Sequence, residues 1–546
     1  MHTKHIVQTW TIFILLLSSV CVSAQTAVFH SFRYEGHDKA LVTATDSTFV
    51  NPVLPGFYPD PSVCRKGDEY FLVNSSFAYF PGVPIFKSDN LFTWRQIGHV
   101  LDRASQLPLE GHGVSEGIFA PAISYCKKND TFYMITTNVR KGNFLVKTKN
   151  PEKGWSEPIY LPQIDGIDPS LFFDSDGKAY IVHNAPVMGG ADYEGQRAIR
   201  ILRYDINGDS IVGKPVEIVR GGTHVDEKPI WIEGPHLYRI GKYYYLMCAE
   251  GGTGFRHSEV IFRSKSPYGP WQECPFNPIL TQRDIESPIT TTGHADLMQK
   301  ADGSWWAVFL GCRPYKGDMY NTGRETFLLP VTWRDGWPVI LEHGKQVPVA
   351  LPINTHGVLQ GNDVQSSSFY DDFKGDSLSQ RWVFLRNPSD FYSVGNGFVV
   401  NPSAYSEFDK GQPSAIFFRQ HHTDFSAFVS LSFLPQREGE KAGMMLFQNE
   451  KFCVSFSVAM LDDKPSIIVE RTENSRVMVA SMPLPPALYS SQLSLRIDGR
   501  GGYADFYWSP DGKEWQTLVV GVDVTNLSTQ KTGGFVGTMI SLFACN

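Results

Sequence analysis

The sequence predicts an all-β chain, a five-bladed β-propeller followed by a β-sandwich. Three observations carry that prediction. Aromatic residues reach 13% beside 48 Gly and 35 Pro, a mix that disfavours helix bundles and suits short strands joined by tight turns. Five similar hairpin-like segments recur through the first two thirds of the chain. After Pro352 the pattern changes to short alternating strands without that repeat.

Taken in chain order, residues 1–24 read as a secretory signal. Lys4 and His5 precede an apolar run from Thr9 to Val22, and Val22-Ser23-Ala24 gives a small-residue cleavage pattern. The run is shorter than the roughly 20 apolar residues a membrane span needs. Cys21 raises lipoprotein anchoring, but Val20 stands where such a signal wants a small residue, so the expected location is periplasmic, without an anchor. Residues 25–49 form an N-terminal segment, 50–345 the propeller, 346–365 a linker and 366–546 the sandwich.

The repeated segments open at Asp60-Pro61, Ala120-Pro121, Asp168-Pro169, Glu233-Gly234-Pro235 and His294-Ala295. These openings (60, 120, 168, 233, 294) lie 60, 48, 65 and 61 residues apart. Each is followed by a short apolar strand, a charged or glycine turn, and an aromatic strand such as Tyr243-Tyr244-Tyr245-Leu246, which is a hairpin. Hairpin-rich repeats of this length are propeller blades. In the sandwich, Ala504–Ser509 and Glu514–Leu518, joined by Pro510-Asp511-Gly512-Lys513, form the clearest hairpin.

Composition excludes several classes. With 49 basic and 56 acidic residues the formal charge is −7, which gives no grip for nucleic acid. Seven cysteines follow the signal, with no CxxC pair, so a zinc site is not expected; they read as buried, inert thiols, with one unassignable disulfide left open. His421-His422 stands in a polar stretch and reads as surface. No nucleotide, flavin or haem motif is present.

The innermost strand of each propeller blade lines the central channel. Openings at the channel mouth would bring Asp60, Asp168 and Glu233 together from three blades. Close carboxylates cannot all ionise, so one is left a base and another a protonated acid, as acid–base hydrolysis requires. A lone Asp-Pro reads most simply as a turn opener; carboxylates at matched places of three repeats favour function.

Asn51–Ser62, with its Tyr58-Pro59-Asp60-Pro61-Ser62 core, resembles the opening motif of family 43 glycoside hydrolases. So do Phe80-Pro81-Gly82-Val83, Gly166–Phe172, Glu233–Tyr238, Ala249–Thr253, Gly293-His294-Ala295 and Gly323-Arg324-Glu325-Thr326. The resemblance spans about residues 50–340 in the family's order and implies exo-acting, inverting release of pentose from plant hemicellulose. It implies Asp60 as the general base, Glu233 as the general acid, and Asp168 as the group that raises and orients the acid. Arg324 best matches the family's sugar-binding arginine, with Arg313 a second candidate. His294 would sit on the axis, where relatives often hold a water-ligated calcium; a hydrogen-bonded core histidine is the equal alternative, and no cofactor is required. Phe77, Phe80 and Phe119 are candidate sugar platforms.

Two departures touch the pocket rather than the acids. Phe119-Ala120-Pro121-Ala122 replaces the Trp-Ala-Pro-His of the best-known xylosidases, and Ala78 stands where many relatives carry Glu. The Phe-Ala-Pro variant resembles a branch containing both α-L-arabinofuranosidases and β-xylosidases, and the reading leans to arabinofuranosidase. The substrate partner would be a hemicellulose oligosaccharide such as arabinoxylan or xyloglucan fragments; oligomeric state is open. The region after 366 resembles the concanavalin-like domain of two-domain relatives, in which one loop helps close the pocket. Its role reads as structural rather than as autonomous sugar binding, with a final strand after Gly537 missing or replaced. Two other classes stay in view: a non-catalytic carbohydrate-binding propeller, and a retaining enzyme acting on fructosides or sialosides.

Overall fold

A computed structural model describes residues 25–38, 48–353, 366–402 and 410–546. The signal at 1–24 and most of the polar linker lie outside the described residues. Five antiparallel sheets succeed one another along the chain, each with four strands in sequence order from the axis outward, and in the fourth the short strand Leu280–Thr281 also pairs with the third strand, Ser258–Ser264. Their innermost strands are Ser62–Lys66, Ile118–Cys126, Ile167–Phe173, Glu233–Ile240 and Thr290–Gln299. Each packs on the next, and the fifth packs back on the first, so the ring closes.

Closure uses side chains and a small ribbon rather than a shared blade strand. Asn51 donates to the Leu328 carbonyl (2.9 Å) and accepts from the Leu328 N–H (2.9 Å), splicing the entering chain onto the fifth blade. Thr48–Val50 pairs with Ala350–Pro352 beside it. Between blades the core is continuous: Phe71, Val73, Ile123 and Met134 fill one seam, and Tyr180, Val182, Leu237 and Leu246 another.

The sandwich stacks two antiparallel sheets. The first orders Tyr392–Ser393, Phe398–Val400, Ala27–Gly36, Asp424–Ser432, Leu493–Arg500, Tyr503–Ser509 and Gln516–Asp523, with Ser368–Asp371 also on Ala27–Gly36. The second orders Ala415–Arg419, Met539–Cys545, Lys441–Asn449, Phe452–Leu461, Lys464–Glu473 and Ser475–Pro483. Phe32, Val429, Phe456, Val458 and Leu542 are among the residues that fill the space between them.

Three sequence expectations change here. The N-terminal segment, set apart from both domains at 25–49, contributes Ala27–Gly36 to the sandwich, where it pairs with Asp424–Ser432 through a bulge between Phe29 and Ser31. The final strand is present: Met539–Cys545 lies between Ala415–Arg419 and Lys441–Asn449. His421 and His422 are buried, not surface, where Tyr34 Oη contacts His422 Nδ1 at 3.1 Å and Arg381 contacts His421 Nδ1 at 2.9 Å. That polar stretch is the seam between the two domains. The seven described cysteines are buried free thiols.

Candidate active site

At one mouth of the propeller the chain turns through the same conformation in every blade. Asp60, Ala120, Asp168, Gly234 and His294 have φ of 53°, 38°, 53°, 54° and 51°, each just before or within the first half of its blade's innermost strand. The left-handed region costs an L-residue about 1–2 kcal/mol, and such strain persists where the surroundings fix it. Asp60, Asp168 and His294 all line one cavity of about 380 Å³. The sequence reading matched Glu233 to Asp60 and Asp168; the structure shifts that match by one residue, to Gly234. Glycine is required there because a Cβ would stand 2.8 Å from the His294 ring. Glu233 instead shares its level with Phe119 and Ile167, each one residue before its blade's left-handed turn, and all three reach the cavity.

Asp60 is nearly fully buried and bonded on both oxygens. Arg324 donates to Oδ1 at 2.6 Å and Ser75 donates to Oδ2 at 2.6 Å, while His294 Nδ1 lies 3.6 Å from Oδ1. Ser75 Oγ also accepts from the Ala120 N–H at 2.7 Å, so the second blade fixes the serine that fixes the aspartate. Burial pushes the Asp60 carboxyl up, but the Arg324 guanidinium, His294 and Ser75 outweigh it and hold it below the ordinary aspartate range.

Glu233 has the opposite environment. Burial pushes its carboxyl well above the glutamate range, and the charges of Asp168 and Asp60 push it further; Arg324 and Arg197 only partly offset this. Asp168 is itself pushed up to about 7, by burial and then by Asp60. It accepts the Gly234 N–H at 3.1 Å, which ties it to the backbone beside Glu233. One carboxyl is therefore held ionised and a second is held protonated within one cavity, the arrangement general acid–base chemistry needs.

Arg324 lies beside Asp60. Among the described residues its Nε has no hydrogen-bond partner and its second terminal nitrogen reaches only the Phe535 carbonyl, at 3.5 Å, so buried N–H groups remain for a ligand hydroxyl. Phe77 and Phe119 also line the cavity. Phe535 arrives from the sandwich, stacked on Phe77 (5.9 Å between centroids, 17° between planes) and edge-on to Phe119 (5.4 Å).

Two proposed site residues lie elsewhere. Arg313 is spent on a clamp: it donates to both Glu325 oxygens (2.6 and 2.9 Å), to Asp38 (2.8 Å) and to the His421 carbonyl (2.9 Å). Phe80 pairs with Phe384 in a two-stranded ribbon at the domain seam and packs on the sandwich core. His294 offers one ring nitrogen towards Asp60, and burial lowers its pKa to about 4, so it is neutral. Among the described residues no three His, Cys, Asp or Glu converge as metal ligands.

Sequence reasoning missed Trp231, Thr253, Ile167 and Phe535 as cavity walls. Trp231 lies two residues before Glu233 but outside the strand, with a left-handed backbone, so alternation could not have pointed to it. Phe535 left no signal either, since its partners lie hundreds of residues away in the propeller.

Comparison with known proteins agrees with this geometry. Residues 49–338 match the family model described as glycosyl hydrolases family 43. The chain belongs to that family. Residues 370–546 of this family 43 hydrolase match the β-xylosidase C-terminal concanavalin A-like domain. The hydrolase is 39% identical to a Butyrivibrio fibrisolvens protein named xylosidase/arabinosidase, covering 90% of this chain and 95% of that one. It is 34% identical to a non-reducing end α-L-arabinofuranosidase of Bacteroides ovatus, covering 92% and 93%. The crystal structure of a GH43_12 protein from a capybara gut metagenome superposes with a TM-score of 0.90 at 40% identity, covering 96% of this chain and all of that one.

Proposed function

We infer that this family 43 hydrolase is an inverting, exo-acting α-L-arabinofuranosidase that removes terminal arabinofuranose from hemicellulose oligosaccharides. The observation that carries this reading is the contrast between Asp60, held ionised, and Glu233, held protonated, in one walled cavity. Glu233 delivers its proton to the glycosidic oxygen as the bond to the anomeric carbon breaks. Asp60 takes a proton from the water that attacks that carbon from the opposite face. The pentose leaves with inverted configuration, Asp60 protonated and Glu233 ionised, and proton exchange with solvent resets both. Asp168 keeps the proton on Glu233 and positions its backbone; Arg324 binds ring hydroxyls through its free N–H groups. The cavity of about 380 Å³ and its aromatic end wall suit one terminal sugar rather than a continuous chain.

A second reading, β-D-xylosidase or dual activity, is favoured by the relative named xylosidase/arabinosidase. Side-by-side assays on 4-nitrophenyl α-L-arabinofuranoside and β-D-xylopyranoside decide between them. Asp60→Asn and Glu233→Gln should each lose about 10²–10⁴-fold in kcat, and proton NMR should show the inverted anomer first. Unimpaired turnover in either variant, or a retained anomer, would overturn the assignment. Export with cleavage after Ala24 is part of the same proposal, supported by the signal pattern, and predicts a mature chain starting at Gln25 by mass spectrometry.

A further inference from the structure

The cavity is lopsided. At its Asp60 end the walls are Phe77, Arg324 and Phe535, packed together and largely buried. At its Glu233 end stands Trp231, 41% exposed. An exposed indole is not a core residue, yet this one is held as firmly as one. The backbone beneath it is what is fixed: the Trp231 main-chain N–H donates to the Gly195 carbonyl at 2.8 Å, and the neighbouring Ile230 carbonyl accepts from the Gly251 N–H at 2.9 Å. The Ile232 carbonyl accepts from Asn184 Nδ2 at 2.6 Å. The same Asn184 uses its Oδ1 to hold Arg197 (3.1 and 2.7 Å), and the Arg197 guanidinium lies 5.4 Å from the indole centroid. Trp231 has φ 52°, an outlier for so bulky a side chain. Gly252, also in the cavity lining, lies beside the indole. The fold thus maintains a strained, pinned, half-open aromatic surface at the mouth of the cavity, two residues from Glu233.

The geometry points to Trp231 as the platform for the first sugar of the leaving group, stacked by its C–H face on the indole, with Arg197 holding the ring from behind. This rests on Glu233 being the acid: the oxygen it protonates belongs to the leaving sugar, which then departs over the open side. It adds a leaving-side binding site to an enzyme whose remaining aromatics enclose the departing pentose.

Such a platform binds ground and transition states alike, so its loss raises KM and spares kcat. Trp231→Ala should raise KM about tenfold for an arabinosylated xylo-oligosaccharide or xylobiose, whichever the enzyme prefers, with kcat within about twofold. Trp231→Phe should recover most of it. The matching methyl pentoside carries no leaving sugar, and its kcat/KM should stay within about twofold in both variants. An equal loss on the methyl pentoside would show that Trp231 supports Glu233 structurally and would overturn the inference, as would an unchanged KM for the oligosaccharide. Wild-type protein inert on every pentoside would refute the hydrolytic reading itself and this inference with it.

Discussion

In the cavity wall Asp60 lies against a guanidinium, whereas Glu233 faces two other carboxyls, and that difference of neighbours moves their pKa values in opposite directions. The negative charge of Asp168 is, after burial, the largest influence keeping Glu233 protonated. Asp168→Asn removes that charge, so the Glu233 pKa falls and less of the acid carries its proton at a given pH. The alkaline limb of the kcat/KM profile should move to lower pH, measured across pH on a chromogenic pentoside; an unmoved limb would refute the coupling. Arg313 gives the opposite kind of prediction. Arg313→Met leaves Glu325 buried without its bidentate partner, which costs about 3–5 kcal/mol. Thermal unfolding should fall markedly, while the KM of the protein that remains folded stays unchanged. Both arginines stand in the loop between the second and third strands of the fifth blade, and the sequence ranked Arg324 first only through its Gly323-Arg324-Glu325-Thr326 motif. What separates them is their partners: Asp60 comes with Arg324 through the blade repeat, but Asp38 and the His421 carbonyl reach Arg313 from the other domain. The carboxylates stood out because their motifs recur; the one-residue offset of Glu233 did not, because the left-handed φ that aligns the blades falls on Gly234 and is visible only in the backbone.

At the scale of elements, Phe535 reaches the site through a backbone-on-backbone contact. Thr538 N–H donates to the Asn321 carbonyl at 2.8 Å, and Gly537 lies flat on Gly323. A Cβ on Gly537 would stand 2.8 Å from the Gly323 nitrogen, and one on Gly323 would stand 2.9 Å from the Gly537 Cα. Gly537→Ala must therefore lift the segment off Arg324. It should cost about 1–3 kcal/mol in stability and raise KM for every pentoside by withdrawing the Phe535 wall; unchanged KM would show that the ring is dispensable. The blade hairpins were readable from alternation and turn residues, because each is local. The pocket-closing loop was available only as a family expectation, since pairing across domains leaves no local periodicity.

Across the whole molecule, the sandwich owes its first sheet to a strand from the other side of the propeller. Ala27–Gly36 buries Phe29, Phe32 and Tyr34 almost completely. Three such side chains are worth about 1.5–3 kcal/mol each, comparable in sum with the roughly 5–15 kcal/mol net stability of a domain. A chain beginning at Thr48 should therefore lose its cooperative unfolding transition by calorimetry, and a peptide of residues 25–38 added in trans should restore part of it. A truncated chain that melts like the intact one would contradict this. Composition and repeat named the two domains correctly in kind, but the reading assigned this strand to neither, because a segment's partners hundreds of residues away cannot be seen in its own alternation.

That borrowed strand also sets an order of events during biosynthesis. Residues 27–36 leave the ribosome first, yet their neighbours at 424–432, and the facing sheet that includes 539–545, are made only after all five blades. Until then an apolar stretch with Phe29 and Phe32 must travel unpaired beside a growing ring, an open invitation to intermolecular sticking. The sandwich is thus the last part to assemble, and because it carries Phe535, the nascent hydrolase acquires its complete pocket only once translation has passed the second domain.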